Sequence, residues 1–440
     1  MNHLGSLLRS NSFFLYATGI IVFLIFLLRP GAVLGETALE LQQKIGAKSA
    51  SISELEREIA KYNKELLSIG AEATTLEREI AVLDTTRKKL QLEVNATQAK
   101  IDKAELTVRS LGDEIGGKEE HIRKNREALG AATQALARED DRSLMEILFT
   151  SERMSSVMRA HVELLSFTGA IDASLAELRK TRATLVDNQA EVSAEKQKLE
   201  ALRKKVADQK KIADNARKEQ ATLLATTKNE EGTYRNLLAT KEREIAAVEA
   251  EIRAFETELR TIIDRSKLPG EEVATGSLAW PLKPVRITQP FGDTEFSRTH
   301  SQVYSGKGHN GTDFGGSVGT ELWSARRGTV RGVGDTDLTC KGASYGKWVL
   351  IDHDNGLSTL YAHLSLVKAV RGQVVATGDL VGYLGRTGYA TGPHLHFTVY
   401  ATEGVQIGQL KSKVPGCGTY TMPLASLESY LDPMEYLPRL

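Results

Sequence analysis

The sequence predicts a chain of two unlike parts, an N-terminal all-α antiparallel coiled-coil hairpin followed by a C-terminal all-β domain. Apolar residues recur in steps of three and four between residues 52 and 263, and from residue 278 short runs of strand formers alternate with glycine-rich turns. Charged residues make up 26 % of the chain and aromatics only 6 %, which suits long solvated helices better than one large globule. At 440 residues the chain exceeds one typical domain. Its 57 basic and 57 acidic residues leave no net field to draw nucleic acid or an anionic membrane.

Residues 1–35 carry an apolar run from Phe13 to Leu28, with Arg9 before it and Arg29-Pro30 after it. The run is short for a membrane span and long for a cleaved leader, so both a signal peptide and a retained N-terminal anchor are open. Residues 36–265 form the predicted hairpin. Its first arm carries Leu55, Ile59, Tyr62, Leu66, Leu76, Leu83, Leu90, Val94, Ile101, Ala104 and Leu111 on one seam. Read as one helix from residue 52 to 129, this arm would extend roughly 115 Å at 1.5 Å per residue. The second arm, clearest at Val248, Ile252, Phe255 and Leu259, has a similar length. Between the arms, residues 130–168 break the seam and carry a dense apolar mix, predicting a small helical tip. Equal arms about a distinct centre favour the antiparallel hairpin over a parallel dimer of one long rod. Residues 266–277, with Pro269, Gly270 and Gly276, read as a linker before a domain at 278–440.

The chemistry lies in that last domain. His309 and Asp313 follow a glycine-rich turn, and His394 and His396 alternate in Gly-Pro-His-Leu-His-Phe. In a strand, positions i and i+2 share a face, so both histidines of the pair can enter one cleft. Imidazole and carboxylate are the donors of a catalytic zinc site, in which three protein ligands leave one position open. His363 is a fifth candidate. His353 reads as a hairpin residue beside the Asp354-Asn355-Gly356 turn, and His300 as a solvated loop residue. There is no His-Glu-x-x-His motif, which excludes the helical metalloprotease class. The two cysteines, Cys340 and Cys417, predict one disulfide in an exported chain.

Trp280-Pro281, Ile287-Thr288-Gln289-Pro290-Phe291-Gly292, His309-Asn310-Gly311-Thr312-Asp313, Tyr361-Ala362-His363-Leu364 and Gly392-Pro393-His394-Leu395-His396 occur in an order that resembles the LytM or lysostaphin-type peptidoglycan endopeptidases. The resemblance implies an all-β, lysostaphin-like metallopeptidase domain that uses Zn2+, with His309, Asp313 and His396 as metal ligands and His363 and His394 as the catalytic pair. It also implies peptidoglycan as substrate and an extracytoplasmic location. The layout of leader, coiled coil and C-terminal domain is similar to EnvC- and PcsB-type division hydrolases or activators, which implies an FtsEX-like membrane complex as a partner of the coiled-coil tip. Two functions follow: a zinc endopeptidase, or a non-catalytic activator of a cell-wall amidase. Activators of that kind typically lack part of the metal set, whereas all five positions are filled here. In either case the helical arms or the linker are expected to occlude the cleft until a partner moves them.

Overall fold

The computed structural model describes residues 38–69, 75–140, 154–228, 230–259, 268–269, 274–294 and 308–440. The apolar leader, residues 141–153 of the tip and His300 lie outside the described residues. No helix among the described residues is long and apolar enough to cross a membrane.

Four long helices precede the sheet: α1 (Ala38–Ile69), α2 (Leu76–Asp140), α3 (Met154–Thr227) and α4 (Glu231–Glu258). The single helix expected over residues 52–129 is instead two, and α1 folds back along α2. Lys48 pairs with Asp102 at 2.7 Å and Lys100 with Glu56 at 2.6 Å, which requires antiparallel neighbours. The physical reason is local. The Thr75 hydroxyl accepts from the Arg78 amide, capping a fresh N-terminus. The Leu76 amide donates to the Glu231 carboxylate at 2.8 Å, so the first residue of α4 satisfies an orphan donor at the start of α2. The second arm breaks at the same level, with Lys228 at a φ of 52° between α3 and α4. A heptad seam tolerates these breaks because an intrachain partner buries it as well as a continuous one does. Leu83, Leu90, Val94, Ile101, Ala104 and Leu111 are indeed buried.

Helices α2 and α3 run antiparallel, as the hairpin reading expects. Residues 47–105 and 193–440 make one compact unit, within which Arg203 pairs with Glu105 at 2.7 Å. Residues 1–46 and 106–192 make the other, within which Asn188 donates to Glu114 at 3.0 Å and His121 faces Glu177 at 3.5 Å.

The C-terminal region is all-β, apart from the short helix α5 (Pro433–Tyr436) and single 3-10 turns. Its main sheet has the order β1 (Ile287–Gln289), β2 (Thr312–Gly315), β10 (His394–Ala401), β6 (Leu357–Ala362), β5 (Lys347–His353), β4 (Gly328–Asp335) and β8 (Val374–Val375), with β13 (Tyr430–Leu431) also paired to β10. Strands β3 (Glu321–Trp323), β9 (Leu380–Leu384) and β7 (Leu364–Val367) form a second sheet, and β11 (Val405–Lys411) pairs with β12 (Thr419–Ala425). Every residue of β6 is buried, as is nearly all of β10, so these central strands read as continuous runs without an exposed face. Phe314, Tyr361, Leu395 and Phe397 pack into the principal core. His353 is a buried hairpin residue, placed between the Arg327 carbonyl and the Thr359 hydroxyl. Cys340 and Cys417 are joined as a disulfide, tying the loop after β4 to the turn before β12. Leu268 and Ala274, in the segment read as a linker, pack against the core.

The helices of this unit rest directly on the sheets. Leu90, Ile212 and Ala216 enclose Tyr383, and the Lys89 ammonium donates to the Val318 carbonyl at 2.9 Å. Lys205 pairs with Glu321 at 2.7 Å, and Lys368 pairs with Asp208 at 2.9 Å. Leu90→Ala is expected to cost about 2–5 kcal/mol of unfolding free energy in a denaturant titration. A loss within experimental error would mean that this helix–sheet contact does not form in solution.

Candidate metal centre

Strand register assembles the site. His396 stands opposite Asp313 on one side of β10 and opposite Ala362 on the other, and His394 stands opposite Gly315. His309 enters from the turn before β2, where its backbone exchanges two hydrogen bonds with Gly292. Gly311 is required by close approach, because a Cβ there would lie 2.7 Å from the His396 ring. His363 follows β6 directly, with a φ of 62° that a non-glycine residue rarely adopts. The cleft of about 440 Å³ is lined by all five predicted residues, His309, Asp313, His363, His394 and His396.

Hydrogen bonds on the outer side of each ring fix what faces the centre. Nδ1 of His309 donates to the Pro290 carbonyl at 3.0 Å, and a carbonyl can only accept, so Nε2 carries a lone pair. That Nε2 lies 3.1 Å from His396 Nδ1 and 3.3 Å from Asp313 Oδ1. His396 Nδ1 is 2.9 Å from the same oxygen, while its Nε2 is engaged by the Thr398 hydroxyl at 3.0 Å. Two imidazole nitrogens and a carboxylate, all buried and within 4.8 Å of one another, converge on one point. Burial pushes the Asp313 carboxyl up, but His394, His309 and His396 outweigh it and hold it well below the usual range. Burial lowers the His396 imidazole, partly offset by its bond to Asp313. With the Thr398 hydroxyl on Nε2, the neutral His396 ring turns its Nδ1–H to the Asp313 carboxylate, and replacing that proton leaves three electron-pair donors facing one point. The donor set therefore fits a metal ion, with outer hydrogen bonds orienting each imidazole as in protein metal sites generally.

His363 and His394 stand beside these three, with their ring centroids 4.7 Å apart. His363 Nδ1 donates to the Thr387 carbonyl at 2.8 Å, leaving Nε2 as a lone pair. Burial, then the neighbouring His394 and His396, depress the His363 imidazole well below its ordinary range. His394 Nδ1 donates to the Gly392 carbonyl at 2.8 Å, and its Nε2 is 3.6 Å from Asp313 Oδ2.

Sequence reasoning missed three features of the site. Tyr345 stacks on His396 at 5.9 Å between centroids, with nothing in its local sequence to flag it. Arg386 is paired with Glu79 of α2 and with Glu219 of α3, and it immediately precedes Thr387, whose carbonyl holds His363. Helix α4 lends Glu249, Ile252, Arg253 and Glu256 to the cleft lining.

Residues 307–408 match the model of Peptidase family M23. The C-terminal region carries an M23 domain. Over 119 residues the chain is 40 % identical to the DD-carboxypeptidase/endopeptidase Mpg of Neisseria meningitidis serogroup B, covering 27 % of this chain and 25 % of that protein. Over 107 residues it is 36 % identical to the peptidoglycan DD-endopeptidase ShyA of Vibrio cholerae, covering 24 % of this chain and 23 % of that one. The chain thus spans about a quarter of the length of these curated relatives. A solved zinc-containing peptidase from Vibrio cholerae is 31 % identical, with a TM-score of 0.25, over 28 % of this chain and 36 % of that chain. In all of these matches the likeness covers only part of each chain.

Zinc supplied at 100 times its dissociation constant should stabilise the protein by about 2.7 kcal/mol, read as a rise in melting temperature. Asp313→Asn, which removes the anionic donor, should abolish most of that rise. An equal rise in the variant would place the metal elsewhere.

Proposed function

We propose that this chain is an exported zinc metalloendopeptidase that hydrolyses peptide cross-links of peptidoglycan and is regulated through its helices. The observation that carries the reading is the convergence of His309, Asp313 and His396 beside two further histidines in an open cleft. The peptidoglycan endopeptidases among the relatives support the substrate class. Zinc, when bound by these three residues, supplies Lewis acidity that polarises a carbonyl and acidifies a water.

The protein's own groups supply the proton handling. His363 is held neutral, with Nε2 free, and so suits the general base. His394, whose Nε2 faces the Asp313 carboxylate, suits the role of steadying developing negative charge on the scissile oxygen. The complete donor set argues for an enzyme over a silent amidase activator. A membrane complex of the FtsEX kind at the coiled-coil tip, and an anchoring role for the N-terminal apolar run, belong to the same proposal and rest on the resemblance alone.

Helix α4 is the regulatory element in this reading. Val248 and Ile252 pack with Tyr345, Tyr400 and Met422. Glu251 accepts from the Ser412 hydroxyl at 2.7 Å, and Glu256 accepts from Tyr430 at 2.5 Å. Docking buries two carboxyls, and that burial pushes Glu249 and Glu256 each up to about 7. A raised carboxyl pKa favours the docked helix fully below the free value of 4.5, and that advantage is lost as pH rises towards 7. The helix is thus held by an apolar seam but carries a built-in electrostatic cost at neutral pH.

The primary test compares zinc content and release of wall peptides for the full-length chain and His309→Ala. One zinc per chain, with fragments from the unsubstituted protein only, is the expected result. Absence of metal and fragments, with stimulation of an amidase, would overturn the reading. His363→Ala should retain zinc yet lose roughly 10²–10⁴-fold in kcat. Ile252→Asp should release α4 and raise the rate several-fold, most strongly on the acid side of the window between 4.5 and about 7. An unchanged rate across that window would rule out gating by α4.

A further inference from the structure

Arg286 stands at the threshold of β1, and the inference drawn from it rests on the peptidase reading. Its carbonyl accepts from the Gly315 amide at 2.9 Å, joining it to the strand that carries Asp313. Its side chain then turns over Gly315. A Cβ built on Gly315 would lie 2.2 Å from Nη2 of Arg286 and 2.7 Å from its Cζ. The guanidinium therefore fills the space that a side chain at position 315 would take, and only glycine leaves that space open.

Strand geometry says where that space is. Gly315 lies two residues from Asp313, so both project to one face of the sheet. It also stands directly opposite His394 in the register of β2 with β10. Cross-strand partners on one face have Cβ atoms about 5 Å apart. The guanidinium is thus the next group along the sheet from the metal-ligand cluster and the catalytic pair. It lines the same cleft and is exposed to solvent.

Arg326, Arg331 and Arg386 of this domain are paired with Asp354, Asp352 and the helix glutamates, respectively. Among the described residues the Arg286 guanidinium has no such carboxylate. Arg253 also lines the cleft, but it belongs to α4, whereas Arg286 is fixed to the sheet and stays when that helix leaves. A planar fork of donors matches a carboxylate in two parallel hydrogen bonds, which a lysine cannot reproduce.

We propose that Arg286 binds a free carboxylate of the peptide substrate beside the scissile bond, making that carboxylate a determinant of specificity. The group can be the C-terminal α-carboxylate of the peptide or an acidic side chain next to the cleaved bond, and the two are separable by chemistry.

The test uses the full-length, zinc-loaded chain, both unsubstituted and in the Ile252→Asp background. Three synthetic cross-linked peptides serve as substrates: one with both carboxylates free, one with the C-terminus amidated, and one with the side-chain carboxyl amidated. The expected result is that one amidation lowers kcat/KM by about 10- to 100-fold, as loss of a charge-assisted pair does. Which amidation does so identifies the group. Arg286→Met should bring the acid-to-amide ratio close to one, and Arg286→Lys should recover only part of it, with zinc content and melting temperature unchanged in both. If Arg286→Met keeps the ratio of the parent, or the parent shows no preference, the inference is wrong while the peptidase reading stands. If no peptide is cleaved in either background, the peptidase reading fails and takes the inference with it.

Discussion

Three electron-pair donors aimed at one buried point are the constraint around which this domain is arranged. His309, Asp313 and His396 are joined through the His396 Nδ1 proton, and the surroundings forbid them to turn away. The Pro290 carbonyl holds one ring, the Thr398 hydroxyl holds another, and the β2–β10 register fixes the carboxylate between them. Burial removes the water that would otherwise screen the group. The fold holds the three donors converged, and the stability of the sheet around them is what maintains that arrangement.

The same strands order the rest of the cleft. His394 reaches it because alternation along β10 returns every second side chain to one face, with Leu395 and Phe397 left to anchor the core behind. His363 reaches it from a left-handed backbone position and is held by the Thr387 carbonyl. Next to Thr387 stands Arg386, clamped by carboxylates from two different helices. Helix positions are thereby one residue removed from the group that orients a cleft imidazole. Helix α4 acts on the cleft more directly, as part of its wall.

Much of this was legible in the sequence, and what was hidden has a common cause. The His-x-His pair and the His309–Asp313 spacing were readable because strand periodicity is short and local. Leu83, Leu90, Val94 and Leu111 announced a buried seam for the same reason. The reversal between α1 and α2 was not readable, because apolar heptads look alike whether a helix continues or doubles back on itself. The cap that Glu231 places on Leu76 joins residues 155 positions apart. Tyr345, Arg286 and the α4 carboxyls likewise enter the cleft through long-range packing.

X-ray absorption at the zinc edge on the full-length protein probes the convergence itself. The account predicts one zinc with two imidazole nitrogens and carboxylate oxygen at about 2.0–2.2 Å, and loss of one nitrogen shell contribution in His396→Ala. A spectrum unchanged by that substitution, or one dominated by sulfur, would contradict it.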